Sequence, residues 1–281
     1  MTTSLFLSLI LLIAACSNVL ESSANKTSDE ALYEDARIMM DKRDWDSALQ
    51  KMSDLSVNFS TRTDVIETWA GIYAGKCGLD FIQYFTNLGS ASVTGSTIFK
   101  YFMNAFTGVT IDPASCALAQ AKMEEISANA SDRTSGQNLF MAVLGMVKVG
   151  VYLRSTMDTD NGGGGDGTTD APPGGSSYAS CSSTRLSDAN LDQVITGLGL
   201  LTSNLTYLTA VLSGSITGNL GAINSVCSNL NGACGKTATS AVTAADRTLF
   251  RELLATGPAN PTFAMGIETC NNNFLVSPCC P

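Results

Sequence analysis

The sequence predicts an all-α chain of repeat-like antiparallel helical hairpins, stapled by disulfides and carrying one inserted Gly/Asp-rich loop. Three observations lead there. Apolar residues recur at three- and four-residue spacing along most of the chain, convincing strand alternation occurs nowhere, and nine cysteines are spread among the helical stretches. With 281 residues and 44% apolar content the chain can bury a large core, as one large helical domain or two small ones. Charged residues make up 15%, well below the usual share of about 25%. Sixteen basic and 25 acidic residues give a net charge of −9, which argues against nucleic acid as a partner. It also argues against adhesion to anionic lipid by charge alone. Histidine is absent, so Ser–His–Asp and Cys–His catalysis and His-ligated metals are excluded by counting.

The chain opens with an apolar run from Leu5 to Ala15, eleven residues. A bilayer span needs about 20, whereas a signal-peptide core needs fewer. The run ends Ile13-Ala14-Ala15-Cys16, an aliphatic residue and two small ones before a cysteine. This resembles the lipobox of bacterial lipoproteins, after which the signal is cleaved and the cysteine is acylated. It departs from the usual signal in that Met-Thr-Thr-Ser carries no Lys or Arg. The resemblance implies a lipoprotein signal over residues 1–15, lipidation at Cys16 and a polar tether over 16–26. Ser17, in place of the Asp that retains lipoproteins at the inner membrane, implies the outer membrane; the expectation is a chain facing the periplasm, with surface exposure as the alternative.

Two helices follow. Thr27 and Glu30 form a capping box before Leu32, Ala36, Met39 and Met40, and the chain breaks at residues 41–44. Asp44 caps a second helix whose inner face is Trp45, Ala48, Leu49, Met52 and Leu55. The pair resembles a tetratricopeptide-type hairpin, with small Ala36 and Ala48 where the two helices would touch. It lacks the Trp-Leu-Gly-Tyr run and the closing Pro of that repeat. A solenoid needs about three stacked units, so the reading is repeat-like packing.

A third helix carries Ile66, Trp69, Ala70, Tyr73 and Cys77, with Gly71, Ala74, Gly75 and Gly78 as a small-residue packing stripe. The segment from Ala70 to Ile82 is similar to one in repeat-containing bacterial lipoproteins. Phe81, Ile82, Phe85 and Leu88 continue a helix before a Gly/Ser/Thr-rich turn at 89–96, and Phe99, Tyr101, Phe102 and Phe106 read as core. Asp112-Pro113 starts the helix of Cys116, Leu118, Met123 and Ile126. Thr134 and Gln137 make a second capping box before the apolar stretch Leu139–Leu153. That stretch is too short to span a bilayer and Lys148 interrupts it, so a buried central helix is predicted.

Residues 27–155 thus form an N-terminal helical part. Residues 156–180 are a Gly/Asp/Pro-rich flexible loop. Residues 181–281 form a C-terminal helical part. In it Leu191, Val194, Ile195, Leu198, Leu201, Leu205, Leu208 and Leu212 predict one long amphipathic helix. Shorter helices follow around Gly221–Leu230 and over Thr243–Ala255, before an irregular Cys-rich tail. The helical parts on either side of the loop are expected to pack as one body.

If Cys16 takes a lipid, Cys77, Cys116, Cys181, Cys227, Cys234, Cys270, Cys279 and Cys280 remain, an even set in an exported chain. Cys227 and Cys234 bracket a six-residue loop and are the first pair expected. Cys270 with Cys279 or Cys280 would pin the tail. Adjacent Cys279 and Cys280 are expected to have different partners, because a bond between neighbours is strained. No C-x-x-C occurs, so zinc competes poorly.

The acidic loop offers hard oxygen ligands at Asp158, Asp160, Asn161, Asp166 and Asp170. It starts like an EF-hand, but Gly162 stands at the third ligand position and no Glu closes it. The reading is a solvated loop, with a Ca²⁺ site at Asp158, Asp160, Asp166 and Asp170 as the alternative. Gly162–Gly165 lacks the Lys-Ser/Thr of a phosphate loop. Glu124 and Glu125 read as surface charge, and spacing nominates no carboxylate pair for glycosidase chemistry. No cofactor is implied beyond that alternative Ca²⁺. The functional expectation is a non-enzymatic, lipid-anchored scaffold or accessory subunit whose partners are other envelope proteins. The alternative is a periplasmic lipoprotein that binds a small molecule or Ca²⁺.

Overall fold

The computed structural model describes residues 26–90, 97–159, 165–170, 178–210, 223, 226–228, 230, 232–260, 265–273 and 275–280. Among them are helices, short 3₁₀ turns and no strand; Thr256 and Cys270 make an isolated parallel bridge. The chain divides into two compact units, Met1–Ser60 and Thr61–Pro281. The division falls before the helix that carries Ile66 and Trp69, and the segments flanking 156–180 belong to the same unit.

In the first unit α1 (Asp29–Asp41), α2 (Trp45–Ser53) and the short α3 (Val57–Ser60) form a hairpin with its return. The α1 cap is Ser28, whose Oγ accepts from Ala31 N at 3.3 Å, and not the neighbouring Thr27. Asp44 caps α2 by accepting from Ser47 N. The chain reverses through Arg43 at φ 60°, with its N–H and that of Asp44 closing on the carbonyls of Met40 and Met39. Ala36, Ala48 and Met52 are fully buried in the hairpin. Lys51 pairs with Asp35 across it at 3.0 Å, and Asp29 accepts from Ser56 N and Oγ.

The second unit holds α4 (Thr63–Cys77), α5 (Phe81–Ser90), α6 (Ile98–Asn104), α7 (Pro113–Ile126), α8 (Ser135–Met157), α9 (Asp188–Ser203), α10 (Leu205–Thr209) and α11 (Ala244–Ala255). Gly78, at φ 122°, ends α4, so Phe81, Ile82 and Phe85 start a separate helix, α5. Helix α8 is the axis of the unit: α6, α7, α9 and α10 pack against it, while α4 lies along α7. Phe99, Phe102 and Phe106 are buried against it, as the aromatic-rich stretch predicts.

Helix α8 carries the predicted capping box at Thr134 and Gln137. It is 23 residues long, not the shorter stretch read from composition, and is long and apolar enough to cross a membrane. Most of its apolar window is buried within the protein. Close approach to α9 is set by two glycines. A Cβ on Gly145 would stand 2.6 Å from the carbonyl oxygen of Gly197, and one on Gly197 3.0 Å from that of Gly145. No larger residue fits there without separating the helices.

The long helix expected from Leu191 through Leu212 is interrupted. Asn204, fully buried, takes φ −120° and ψ 10° between α9 and α10. Its Oδ1 accepts from the Arg133 guanidinium at 3.3 Å and its Nδ2 donates to the Leu200 carbonyl at 2.8 Å. Leu212 and most of the helix expected at Gly221–Leu230 lie outside the described residues. Helix α11 has the capping box expected at Thr243, with Asp246 as its partner. It is tied to α9 by a two-bond contact of Arg247 with Asp192, at 2.7 and 2.8 Å.

Candidate functional site

Cys16, the expected lipidation site, lies outside the described residues. The other eight cysteines pair completely: Cys77–Cys116, Cys181–Cys280, Cys227–Cys234 and Cys270–Cys279, with Cα separations of 5.0 to 6.1 Å. The short pair is the one its six-residue loop suggested, and Cys279 and Cys280 take different partners. Cys77–Cys116 joins the end of α4 to the first turn of α7.

Two buried carboxylates work alongside these cystines, and neither was singled out from sequence. Glu252 of α11 accepts from the backbone N–H of Cys279 at 2.6 Å and of Cys280 at 3.1 Å. Glu268 accepts from Ala179 N at 2.5 Å and from Ser180 N and Oγ. The tail is thereby held through both sulfur and backbone. Burial pushes the Glu268 carboxyl above its ordinary range, against the hydrogen bonds from Ser180 and Ala179 that lower it. An acid whose folded pKa is raised contributes stability that is present below its unfolded value and lost as pH rises through the folded one. Glu268→Gln is therefore expected to flatten the fall in unfolding free energy above pH about 4.5. Denaturant midpoints of both proteins across that range measure it, and equal slopes would refute it.

The acidic loop is organised around its own backbone. Asp158, fully buried, accepts from Asp166 N at 3.0 Å and from Gly167 N at 2.9 Å. Gly165 and Gly167, at φ 69° and 83°, bring those amides in; a Cβ on Gly165 would stand 2.7 Å from Asp158 Oδ2. Asp170 accepts from Thr159 N at 3.0 Å and Oγ1 at 2.6 Å and pairs with Arg185 at 3.1 Å. Asp166 accepts from Thr168 N. Asp160 lies outside the described residues. The structure thus brings Asp158 and Asp170 to the two closures of one loop, each engaged with protein donors. Among the described residues no group of three or more Asp, Glu or Cys is placed to hold a metal ion. A recess lined by Tyr84, Asn87 and Phe106 has room for about one water molecule.

The least ordinary chemistry sits inside the α7, α8 and α9 layer. Lys148, which interrupts the apolar stretch of α8, is 1% exposed. Its Nζ donates to Gln120 Oε1 of α7 at 2.7 Å and to Thr196 Oγ1 of α9 at 2.8 Å. Thr196 Oγ1 in turn donates a hydrogen bond to the Asp192 carbonyl at 2.9 Å. Gln120 Nε2 donates to Glu124 Oε1 and to the Thr237 carbonyl, both at 2.8 Å. Glu124 is thus part of this network, unlike the plain surface charge its position suggested. Burial lowers the Lys148 ammonium to about 7, with the Glu124 carboxylate opposing the shift. An amine in that range is partly unprotonated near neutrality and so carries a usable lone pair.

No protein-family model, curated protein or solved structure matches the chain.

Proposed function

We propose that this chain is a lipid-anchored, non-enzymatic helical scaffold or accessory subunit of a bacterial envelope assembly, held at the periplasmic face of the outer membrane. The observation that carries the reading is Ile13-Ala14-Ala15-Cys16 directly after an eleven-residue apolar run. The cysteine arithmetic supports it: eight of nine cysteines pair with one another, which leaves Cys16 for an acyl chain. Complete pairing also suits an oxidising compartment outside the cytosol. Helical hairpins offer long faces to other proteins, which makes protein the favoured class of partner.

The anchor is tested on protein extracted from native membranes. The N-terminal peptide is expected to begin at Cys16 and carry the diacylglyceryl mass, and Cys16→Ser is expected to move the chain to the soluble fraction. An unacylated chain that retains Met1 would overturn the anchor. Affinity capture in mild detergent tests the scaffold role, with a stoichiometric set of envelope proteins as the expected result. Recovery of a lone acylated monomer would overturn it.

A further inference from the structure

We propose that Lys148 and Gln120 join covalently, Lys148 Nζ displacing ammonia from the Gln120 side-chain carboxamide to leave an isopeptide crosslink between α7 and α8. Nζ lies 2.7 Å from Oε1. The amine thus rests on the carboxamide oxygen, one bond from Cδ, and a turn of the Gln120 amide that presents its face to Nζ is the movement the attack requires. Both groups are buried, at 1% and 7% exposure, so water does not compete for the carbonyl. The nucleophile is available because burial holds the amine near the point of half-protonation.

The step balances without any co-reactant. The Nζ–Cδ bond forms and the Cδ–Nε2 bond breaks. The amine loses one proton, Nε2 gains it, and Nε2 leaves as ammonia. Glu124 stands where that transfer needs a carrier, since its Oε1 already accepts from Nε2 at 2.8 Å. It is half-buried, which gives the ammonia a way out beside it. In the product the new amide N–H keeps the hydrogen bond to Thr196 Oγ1 that the amine makes now. The change also removes a buried cation that has no carboxylate in direct contact among its hydrogen bonds. A neutral, hydrogen-bonded amide is far less costly in that place than an ammonium. Lys148 therefore gains a role that core packing alone does not give it, as one half of a crosslink.

The test is peptide mapping of the full-length chain, reduced and unfolded after it has folded. The expected result is a loss of the mass of one ammonia, an uncut Lys148 on trypsin digestion, and residues 101–122 joined to residues 134–154. Lys148→Met and Gln120→Leu are each expected to abolish the joined peptide. Glu124→Gln is expected to slow its formation by about tenfold or more. The wild-type measurement does not depend on whether those variants fold. A folded wild-type chain in which trypsin cleaves after Lys148 and residues 101–122 appear alone would overturn the proposal. So would an ammonia loss mapped to any other residue.

Discussion

Replacing Cys181 and Cys280 together by serine is expected to cost the Thr61–Pro281 unit about 4–5 kcal/mol of unfolding free energy. The bond closes a segment of 99 residues, and the closure entropy removed from the unfolded chain grows with the logarithm of that length. By the same relation the Cys227–Cys234 bond, with a separation of 7, contributes only about 2 kcal/mol. The native state is expected to change little when the longer bond is removed. Glu252 still holds the amides of Cys279 and Cys280, and Cys270–Cys279 still ties the tail to the neighbouring segment. The loss therefore comes mainly from the larger freedom of the unfolded chain. Guanidinium titrations of the two double-serine proteins, against the parent and without reductant, compare the effects directly. A smaller loss for Cys181/Cys280 than for Cys227/Cys234 would show that native strain, and not loop closure, governs these bonds. For a unit of this size the expected loss lowers the melting temperature by roughly 10–15 °C.

What could be read from the sequence is what neighbours along the chain decide. Asp44, Thr134 with Gln137, and Thr243 with Asp246 cap their helices because a cap is a contact over two or three residues. The slip from Thr27 to Ser28 marks the limit of that rule, since adjacent hydroxyls both qualify and the backbone chooses one. Runs of apolar and aromatic residues found the core of α8 and α6 for the same reason. Helical spacing failed at Asn204, where the leucine pattern runs on unbroken. The interruption comes with a guanidinium 71 residues away in sequence, at Arg133, and a spacing rule has no access to that. Cysteine counting foresaw a full set of bridges and the seven-residue pair, but the partners of Cys77 and Cys181 depend on how the helices pack.

The candidate chemistry was less legible still. A lysine within an apolar helix was visible, but not that Gln120 and Thr196, 28 and 48 residues distant, converge on it. The acidic composition of the 158–170 loop was equally plain. The use of its carboxylates depends on two left-handed glycines that turn amides toward Asp158. Glu252 and Glu268 gave no signal, because an isolated glutamate in a helix or loop looks like any solvated one. They matter because the amides that face them would otherwise be buried without acceptors.

Gly150→Ala is expected to destabilise the second unit by about 2–3 kcal/mol, and Gly136→Ala to stabilise it by about 0.5 kcal/mol, although both lie in α8. The helix itself prefers alanine at either position by up to about 1 kcal/mol. At Gly136 nothing opposes that preference, since the nearest atom to an added Cβ is Thr134 Oγ1 at 4.0 Å. At Gly150 the Cβ would collide with the Phe102 carbonyl oxygen and stand 2.8 Å from the Phe106 ring. The carbonyl belongs to α6 backbone and cannot swing aside as a side chain could. Separating α6 from α8 to make room would open the packing of Phe99, Phe102 and Phe106, so repulsion outweighs the propensity gain. Thermal unfolding followed by helical circular dichroism is expected to show a fall of roughly 5–10 °C for the first protein and a slight rise for the second. The pair also bears on what surrounds α8. A helix facing lipid at Gly150 would accept a methyl group readily, whereas one packed on α6 cannot. If Gly150→Ala melts at or above the parent, α6 does not pack on α8 in the way described, and the apolar length of α8 regains its weight as evidence for a membrane span.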